Sequence, residues 1–361
     1  MVEQLKNICS EIMHEASLKT LHNKRNNIRI NIEDIKCNSD GVGTKIEIYE
    51  RLGRFDLIGY DLTAMLCDDA VREGNIPIAI TNVIDANKLN ADIIKQYADG
   101  LVNAANDAGV FIDSGDTDEL GNRVSGYGEY NMNISGTVIS IKDKNKSMPK
   151  KIWKNDSIIA LKENGFRSNG FTLIREIIEK QYGDNWKIND NIIGREWMKY
   201  LTLPSKIYTK LILDLIGDYE KLENVNVKAV INVTGGGIPE KLKRVLEKEQ
   251  LGAFLFDLNR PNEAMHMLQY IGDVNDINAY ETWNMGNGML IITNDPEDIF
   301  DFALKNNIGA KVAGVITTDN KISISSKGYF KEGILEWKIG NWIGPKCWTK
   351  HYEERFINQI S

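Results

Sequence analysis

Apolar residues recur at roughly helical spacing from the start of the chain. Leu5, Ile8, Ile12 and Ala16, then Leu21, predict an opening helix within residues 3–23. Shorter apolar runs then alternate with amphipathic stretches. Residues 28–35 and 45–49 read as strands, and residues 56–74 as a helix stopped by Gly74 and Pro77. Residues 78–84 predict a strand, 91–108 a long helix ended by Gly109, and 109–113 and 132–141 two further strands. A polar, basic stretch at 142–156, broken by Pro149, marks the best domain boundary. Beyond it a strand, a glycine turn and a helix follow one another at 157–162, 164–170 and 171–181. The same order returns at 227–233, 234–237 and 239–249. The pattern predicts an α+β protein of two domains with mixed sheets. A variable helical segment (1–36) precedes an N-terminal domain (37–148) and a C-terminal domain (149–361).

Composition narrows the function classes. The chain has 361 residues, 42% hydrophobic and 26% charged, an ordinary globular balance. A net charge of −7 with no Lys/Arg block argues against nucleic acid as a partner. The longest apolar runs, such as 289–292, are far too short to span a bilayer. The N-terminus carries no basic-then-apolar signal pattern. Cys9, Cys37, Cys67 and Cys347 share no CxxC spacing, so neither a disulfide framework nor a zinc site is indicated. A reduced, cytoplasmic protein is expected.

Five segments carry candidate chemistry. In Ser39-Asp40-Gly41-Val42-Gly43-Thr44-Lys45 two glycines allow close backbone approach, with an acid and a lysine on either side; standing alone, the stretch reads as a hairpin turn. Asp61, Asp68 and Asp69 lie about two helical turns apart on nearly one face of an otherwise apolar helix. Stacked carboxylates repel unless a cation or lysine sits between them. Mg²⁺ would answer this, and a solvated helix face is the alternative. Asp113-Ser114-Gly115-Asp116-Thr117-Asp118-Glu119 is either an exposed acidic turn or a source of further metal oxygens. The turns around Gly165-Phe166-Arg167-Ser168-Asn169-Gly170 and Thr234-Gly235-Gly236-Gly237 each join a strand to a helix. Free N–H groups and the helix dipole make such junctions anion sites. Together the segments suggest a ligand with several phosphates and a metal.

The ordered set Asp40-Gly-Val-Gly-Thr-Lys45, Asp61-Leu-Thr-Ala-Met65, Asp69, Ser114-Gly-Asp-Thr117, Ser168-Asn-Gly170, Thr234-Gly-Gly-Gly237 and Asn284-Met-Gly-Asn-Gly-Met289 resembles the aminoimidazole ribonucleotide synthetase (phosphoribosylformylglycinamidine cyclo-ligase) family, from about residue 37 to about 316. The resemblance implies a homodimer in which paired N-terminal domains build a β-barrel-like interface, with α/β C-terminal domains outside. It implies ATP in a groove of the N-terminal domain. Asp40, Asp69 and Asp116 would hold Mg²⁺ and phosphate, and Gly41, Gly43, Thr44, Lys45, Asp61 and Thr117 would complete the nucleotide site. Arg167, Ser168, Asn169 and Gly170 with Thr234, Gly235, Gly236 and Gly237 would hold the substrate's ribose phosphate. Asp40, Lys45, Asp69 and Arg167 are the expected catalytic set. The implied reaction phosphorylates an amide oxygen with ATP, after which a nitrogen attacks, expels phosphate and closes an imidazole.

Four departures stand out. Arg167 and Asn232 occupy positions where the family usually has histidine, and neither titrates near neutral pH. Arg167 could instead clamp a phosphate bidentately. The usual Gly-Gly-Glu-Thr reads Ser114-Gly115-Asp116-Thr117. The family's lysine- and glycine-bearing N-terminal segment is not recognisable in residues 1–36, and an extension with Trp337, Trp342 and Trp348 follows residue 320. A divergent paralogue acting on another amide, or a nucleotide-binding protein without turnover, are the alternatives to the cyclo-ligase.

Overall fold

The computed structural model describes residues 2–20, 31–184, 186, 196–218 and 224–340. Helix α1 (Val2–Leu18) buries Cys9, Met13 and Ala16 and precedes β1 (Ile35–Gly41). Then come α2 (Lys45–Leu52), α3 (Ile58–Arg72), β2 (Asn75–Ala86), α4 (Ala91–Ala108), β3 (Phe111–Glu119) and β4 (Asn133–Lys142). The four strands form one sheet in the order β1-β4-β2-β3. Only β2 and β3 run parallel, and α4 is the crossover between them. Sequence sets the ends of α4 sharply. The Asn90 side chain accepts from the Asp92 and Ile93 N–H groups, and Gly109 closes the helix at φ 73°. Leu62 and Leu66 of α3 and Tyr97 and Leu101 of α4 pack with Ile80, Ile84 and Val138 on one face of this sheet.

The second half builds a seven-stranded sheet in the order β11-β10-β7-β9-β5-β8-β6. Its strands are β5 (Ser157–Lys162), β6 (Val227–Asn232), β7 (Gly252–Leu255), β8 (Asn287–Thr293), β9 (Ala310–Thr317), β10 (Lys321–Ser325) and β11 (Ile334–Lys338). Its helices are α5 (Phe171–Tyr182), α6 (Thr209–Ile216), α7 (Gly237–Leu246), α8 (Glu263–Gly272), α9 (Asp276–Thr282) and α10 (Pro296–Lys305). Alternate residues of the central strands feed two cores. Ile158, Ala160, Ile231 and Leu290 face α5, α7 and α8, whereas Ile159, Leu161, Val230 and Ile291 face α6 and α10. Every residue of β6 and β8 is buried, as strands covered on both faces require.

Three expectations are corrected. Residues 45–49 are helical, not a strand: Gly43 at φ 71° turns the chain after β1, and Lys45, Ile46, Ile48 and Tyr49 bury one helical face. The acidic run 113–119 is strand rather than turn, paired to β2 through Glu119. Of the strand expected at 28–35, residues up to 30 lie outside the described set, and Ile32–Asp34 form a 3₁₀ turn. Beyond residue 320, β10 and β11 extend the second sheet, and the buried Trp337 donates its indole N–H to Glu281 at 2.9 Å. Leu21, Trp342 and Trp348 lie outside the described residues.

Candidate active site

Helix α3 carries the three acids singled out in the sequence, and the structure sends them to different tasks. Asp61 is fully buried and bonded to the Lys45 ammonium at 2.9 Å, the Tyr49 hydroxyl, the Ser205 N–H at 3.0 Å and the Ser205 hydroxyl. Two turns later Asp68 is equally buried. It accepts from Arg167 at 2.9 Å, from the Tyr208 N–H at 2.9 Å and from the Thr209 hydroxyl at 2.9 Å. The stacked carboxylates do have cations, and the cations are side chains. The pair grips the 203–209 segment of the second half against α3.

Asp69, one position further round the helix, faces a cleft between the two sheets. Its Oδ1 accepts from the Asn232 amide at 2.7 Å and lies 3.4 Å from Arg72 Nε. Asn232 ends β6, and Val233 and Thr234 separate it from the glycine run, so the contact holds the end of that strand against α3. Asp40 of β1 lies near enough to Asp69 for their charges to interact. Burial pushes its carboxyl above the usual carboxylate range; the Gly41 N–H at 2.8 Å pulls it back, the Asp69 charge raises it and Lys241 lowers it. The loop after β1 reaches the second half through Thr44, whose hydroxyl meets that of Thr172 at 3.2 Å in the first turn of α5. A Cβ on Gly235 would lie 4.0 Å from Asn169 Oδ1, so the two glycine turns adjoin. Ser168 Oγ and Asn232 Oδ1 are buried there without a hydrogen-bond partner among the described residues. Asp40 thus lies near Asp69, Asn232 ties Asp69 to β6, and Thr44 and the Asn169–Gly235 junction are contacts at the boundary of the two halves.

Other expected site residues do not join them. Asp40 shares a row across the first sheet with Gly136, Asn82 and Gly115, and a Cβ on Gly136 would touch Leu62 and Leu66 of α3. Asp116 stands in the next row, with Gly41, Ser135 and Val83, and therefore on the opposite face. The expected trio of Asp40, Asp69 and Asp116 cannot converge within one chain. Among the described residues no three His, Cys, Asp or Glu side chains group to hold a metal. Thr117 is buried, with β4 and β2 between it and β1. Lys45 is fully enclosed, its ammonium held by Asp61 and the Leu203 carbonyl at 2.9 Å; burial lowers its pKa and Asp61 offsets part of that. Lys45 and Asp61 are both fully buried and engage one another.

Arg167 is the largest correction. The expected phosphate clamp is fully buried, with φ 57°, and points at Asp68 and the Lys206 carbonyl, with Glu163 at 3.7 Å. Burial opposes its charge, but Asp68 and Glu163 outweigh that and hold the guanidinium above its ordinary pKa. Three glycines expected to admit a ligand serve packing instead. A Cβ would meet Trp283 at 2.5 Å from Gly170, Glu240 at 2.0 Å from Gly236 and the Tyr280 carbonyl at 1.8 Å from Gly237. Sequence reasoning passed over Glu163, Ser205 and Lys241, since no motif marks residues that act through partners far along the chain.

Family models cover most of the molecule. Residues 28–141 match the N-terminal domain of AIR synthase related protein, and residues 154–327 match its C-terminal domain. The chain belongs to the AIR synthase related family. It is 33% identical over 308 residues to a phosphoribosylformylglycinamidine cyclo-ligase of Thermoplasma volcanium, covering 82% of this chain and 85% of that one. A protein of the same name from Pyrococcus horikoshii is 30% identical, with 80% of this chain and 81% of the relative covered. Among solved structures, E. coli HypE superposes with a TM-score of 0.59 at 15% identity, covering 93% and 97% of the two chains. T. maritima PurL complexed with FGAR gives 0.56 at 13%, covering 94% of this chain and 53% of that chain. At such identity these two establish the AIR synthase fold alone.

Proposed function

We propose that this AIR synthase family member is a cyclo-ligase that closes formylglycinamidine ribonucleotide to aminoimidazole ribonucleotide with ATP, releasing ADP and phosphate, in purine biosynthesis. The curated relatives at about 30% identity over four fifths of the chain support the reaction class. The observation that supports the reading best is the bond from Asn232 to Asp69, which lies near Asp40, because Asn232 leads from β6 into the turn whose Gly235 adjoins Asn169. Two carboxylates suit Mg²⁺, which takes one or two protein oxygens and completes its shell with water and substrate phosphates. When bound, the ion neutralises charge on the transferred phosphoryl group. The chain itself orients the partners: Asn232 holds Asp69, the Thr44–Thr172 contact ties the nucleotide loop to α5, and Gly235 leaves room for a close backbone approach. Positioning of this kind can supply much of the barrier reduction for such a step.

The protein acts as a homodimer, joined through the face of the first sheet that bears Val83 and Asp116. No helix among the described residues is long and apolar enough to cross a membrane, and a cytoplasmic location accords with this pathway. The test is ADP release by the purified protein with Mg-ATP and formylglycinamidine ribonucleotide. Release that depends on the ribonucleotide is the expected result, and none at any substrate concentration rejects the activity. A second reading, phosphorylation of another amide-like substrate, is favoured by Arg167 and Asn232 where imidazoles are usual. It gains ground if other amides alone trigger ADP release.

A further inference from the structure

Beside the acid cleft lies a cavity of about 310 Å³ between the two halves of the molecule. Lys36 of β1, Arg72 of α3, Lys142 of β4, Lys241 and Arg244 of α7 and Asn232 of β6 line it. Five of these six carry positive charge, and Glu73 is the acid in the lining. Arg72 lies 3.4 Å from Asp69 and from Glu73, and Arg244 is paired with Glu240. Lys142 and Lys241 have no ion pair among the described residues. Positive charge is therefore in excess, and it is concentrated where α7 approaches α3. Burial lowers the Lys241 pKa, the neighbouring Arg244 and Arg72 lower it further, and Asp69 and Glu240 raise it. An anion seated among these groups relieves that crowding, and a phosphate dianion suits several donors at once.

The cavity adjoins Asp69. Asn232 lines the cavity and bonds Asp69 at 2.7 Å, and Arg72 lies against the same carboxylate. A ligand whose phosphate sits here extends its far end toward Asp69 and Asp40. The glycine turns leave less room for that phosphate, since Gly170, Gly236 and Gly237 already face Trp283, Glu240 and Tyr280. We propose that the cavity, through Lys241 and Lys142, binds the 5′-phosphate of the ribonucleotide substrate. The assignment to that substrate rests on the cyclo-ligase reading. The chemistry needed, a phosphate monoester on a pentose, does not.

The experiment uses full-length protein with Lys241→Gln and Lys142→Gln, two partly exposed positions whose variants are first checked for unchanged thermal melting. Calorimetry with ribose 5-phosphate and with ribose reads the site without turnover; kinetics then vary formylglycinamidine ribonucleotide and ATP separately. Ribose 5-phosphate should bind the parent protein and ribose should not. Each variant should weaken ribose 5-phosphate about tenfold and raise the KM for the ribonucleotide by a similar factor, the scale of one hydrogen bond to a charged group. For Lys142→Gln the ATP KM and kcat should move less than twofold. A rise in the ATP KM of that variant instead would show that the lysine serves the nucleotide, and overturn the proposal. So would unchanged ribose 5-phosphate binding in both variants, or equal binding of ribose. Lysine-dependent binding of ribose 5-phosphate without turnover of the ribonucleotide would reject the cyclo-ligase reading and leave the phosphate site standing.

Discussion

Asp68 and Asp69 are neighbours in sequence and face different surroundings, because one residue of helical phase is about 100°. Asp68 turns into the core to meet Arg167, and Asp69 turns into the cleft to meet Asn232. The two therefore fail differently when changed. Asp69→Asn removes a carboxylate charge from the cleft and should weaken Mg-dependent ATP binding at least tenfold, about 1.4 kcal/mol. Calorimetry with Mg-ATP measures this, and an unchanged affinity would reject Asp69 as a metal-side acid. Arg167→Ala leaves Asp68 and Glu163 buried with no cation between them, a class of change that costs about 3–5 kcal/mol. Urea unfolding should show that loss. Pairing Arg167→Met with Asp68→Leu should restore part of it, because the uncompensated carboxylate is gone as well. A stable Arg167→Ala protein with a raised substrate KM would instead return the arginine to the binding surface.

At the scale of elements, the glycines separate packing from ligand access. Gly237 has φ 61°, and a Cβ there would lie 1.8 Å from the Tyr280 carbonyl; Gly235 has open space out to Asn169 at 4.0 Å. Gly237→Ala should therefore yield a destabilised or insoluble protein. Gly235→Ala should melt within about 0.5 kcal/mol of the parent, as unstrained surface changes do, while losing substrate affinity. Equal melting losses in both variants would refute the distinction. The sequence displays both glycines identically, and only the fold supplies Tyr280 to one of them. Local signals did reach far elsewhere: the Asn90 cap and Gly109 bound α4 at residues 91–108. They failed at 45–49, where Ile46 and Ile48 alternate like a strand but Gly43 redirects the chain into a helix. The candidate site was legible as a set of segments, since Asp40, Asp69, Asn169 and Gly235 each sit in a marked motif. The burial of Arg167 was not legible, because its partner Asp68 lies 99 residues away.

For the molecule as a whole, the first sheet raises the question of what covers its second face. Helices α3 and α4 pack on one side. On the other, Val83 is 40% exposed, and Ser39, Thr137 and Thr81 form a polar and β-branched row beside it. Such a face, uncharged along β1 and β4 and acidic toward the β3 edge at Asp116, suits a two-fold interface in which the same patch meets itself. A stable interface of ordinary size buries about 800 Å² per partner, which a four-stranded face can supply. Val83→Lys puts two ammonium groups across the two-fold axis and leaves the α3-packed side untouched. Light scattering at micromolar concentration should give twice the chain mass, 40.8 kDa, for the parent protein and the single chain mass for the variant. Circular dichroism should be the same for both, since Val83 points away from the core. A monomeric parent, or a variant that remains dimeric, would move the interface elsewhere or remove it. In the monomer, loss of activity with the cleft residues intact would show that the partner steadies the nucleotide loop after β1, because β1 is the edge strand of that sheet.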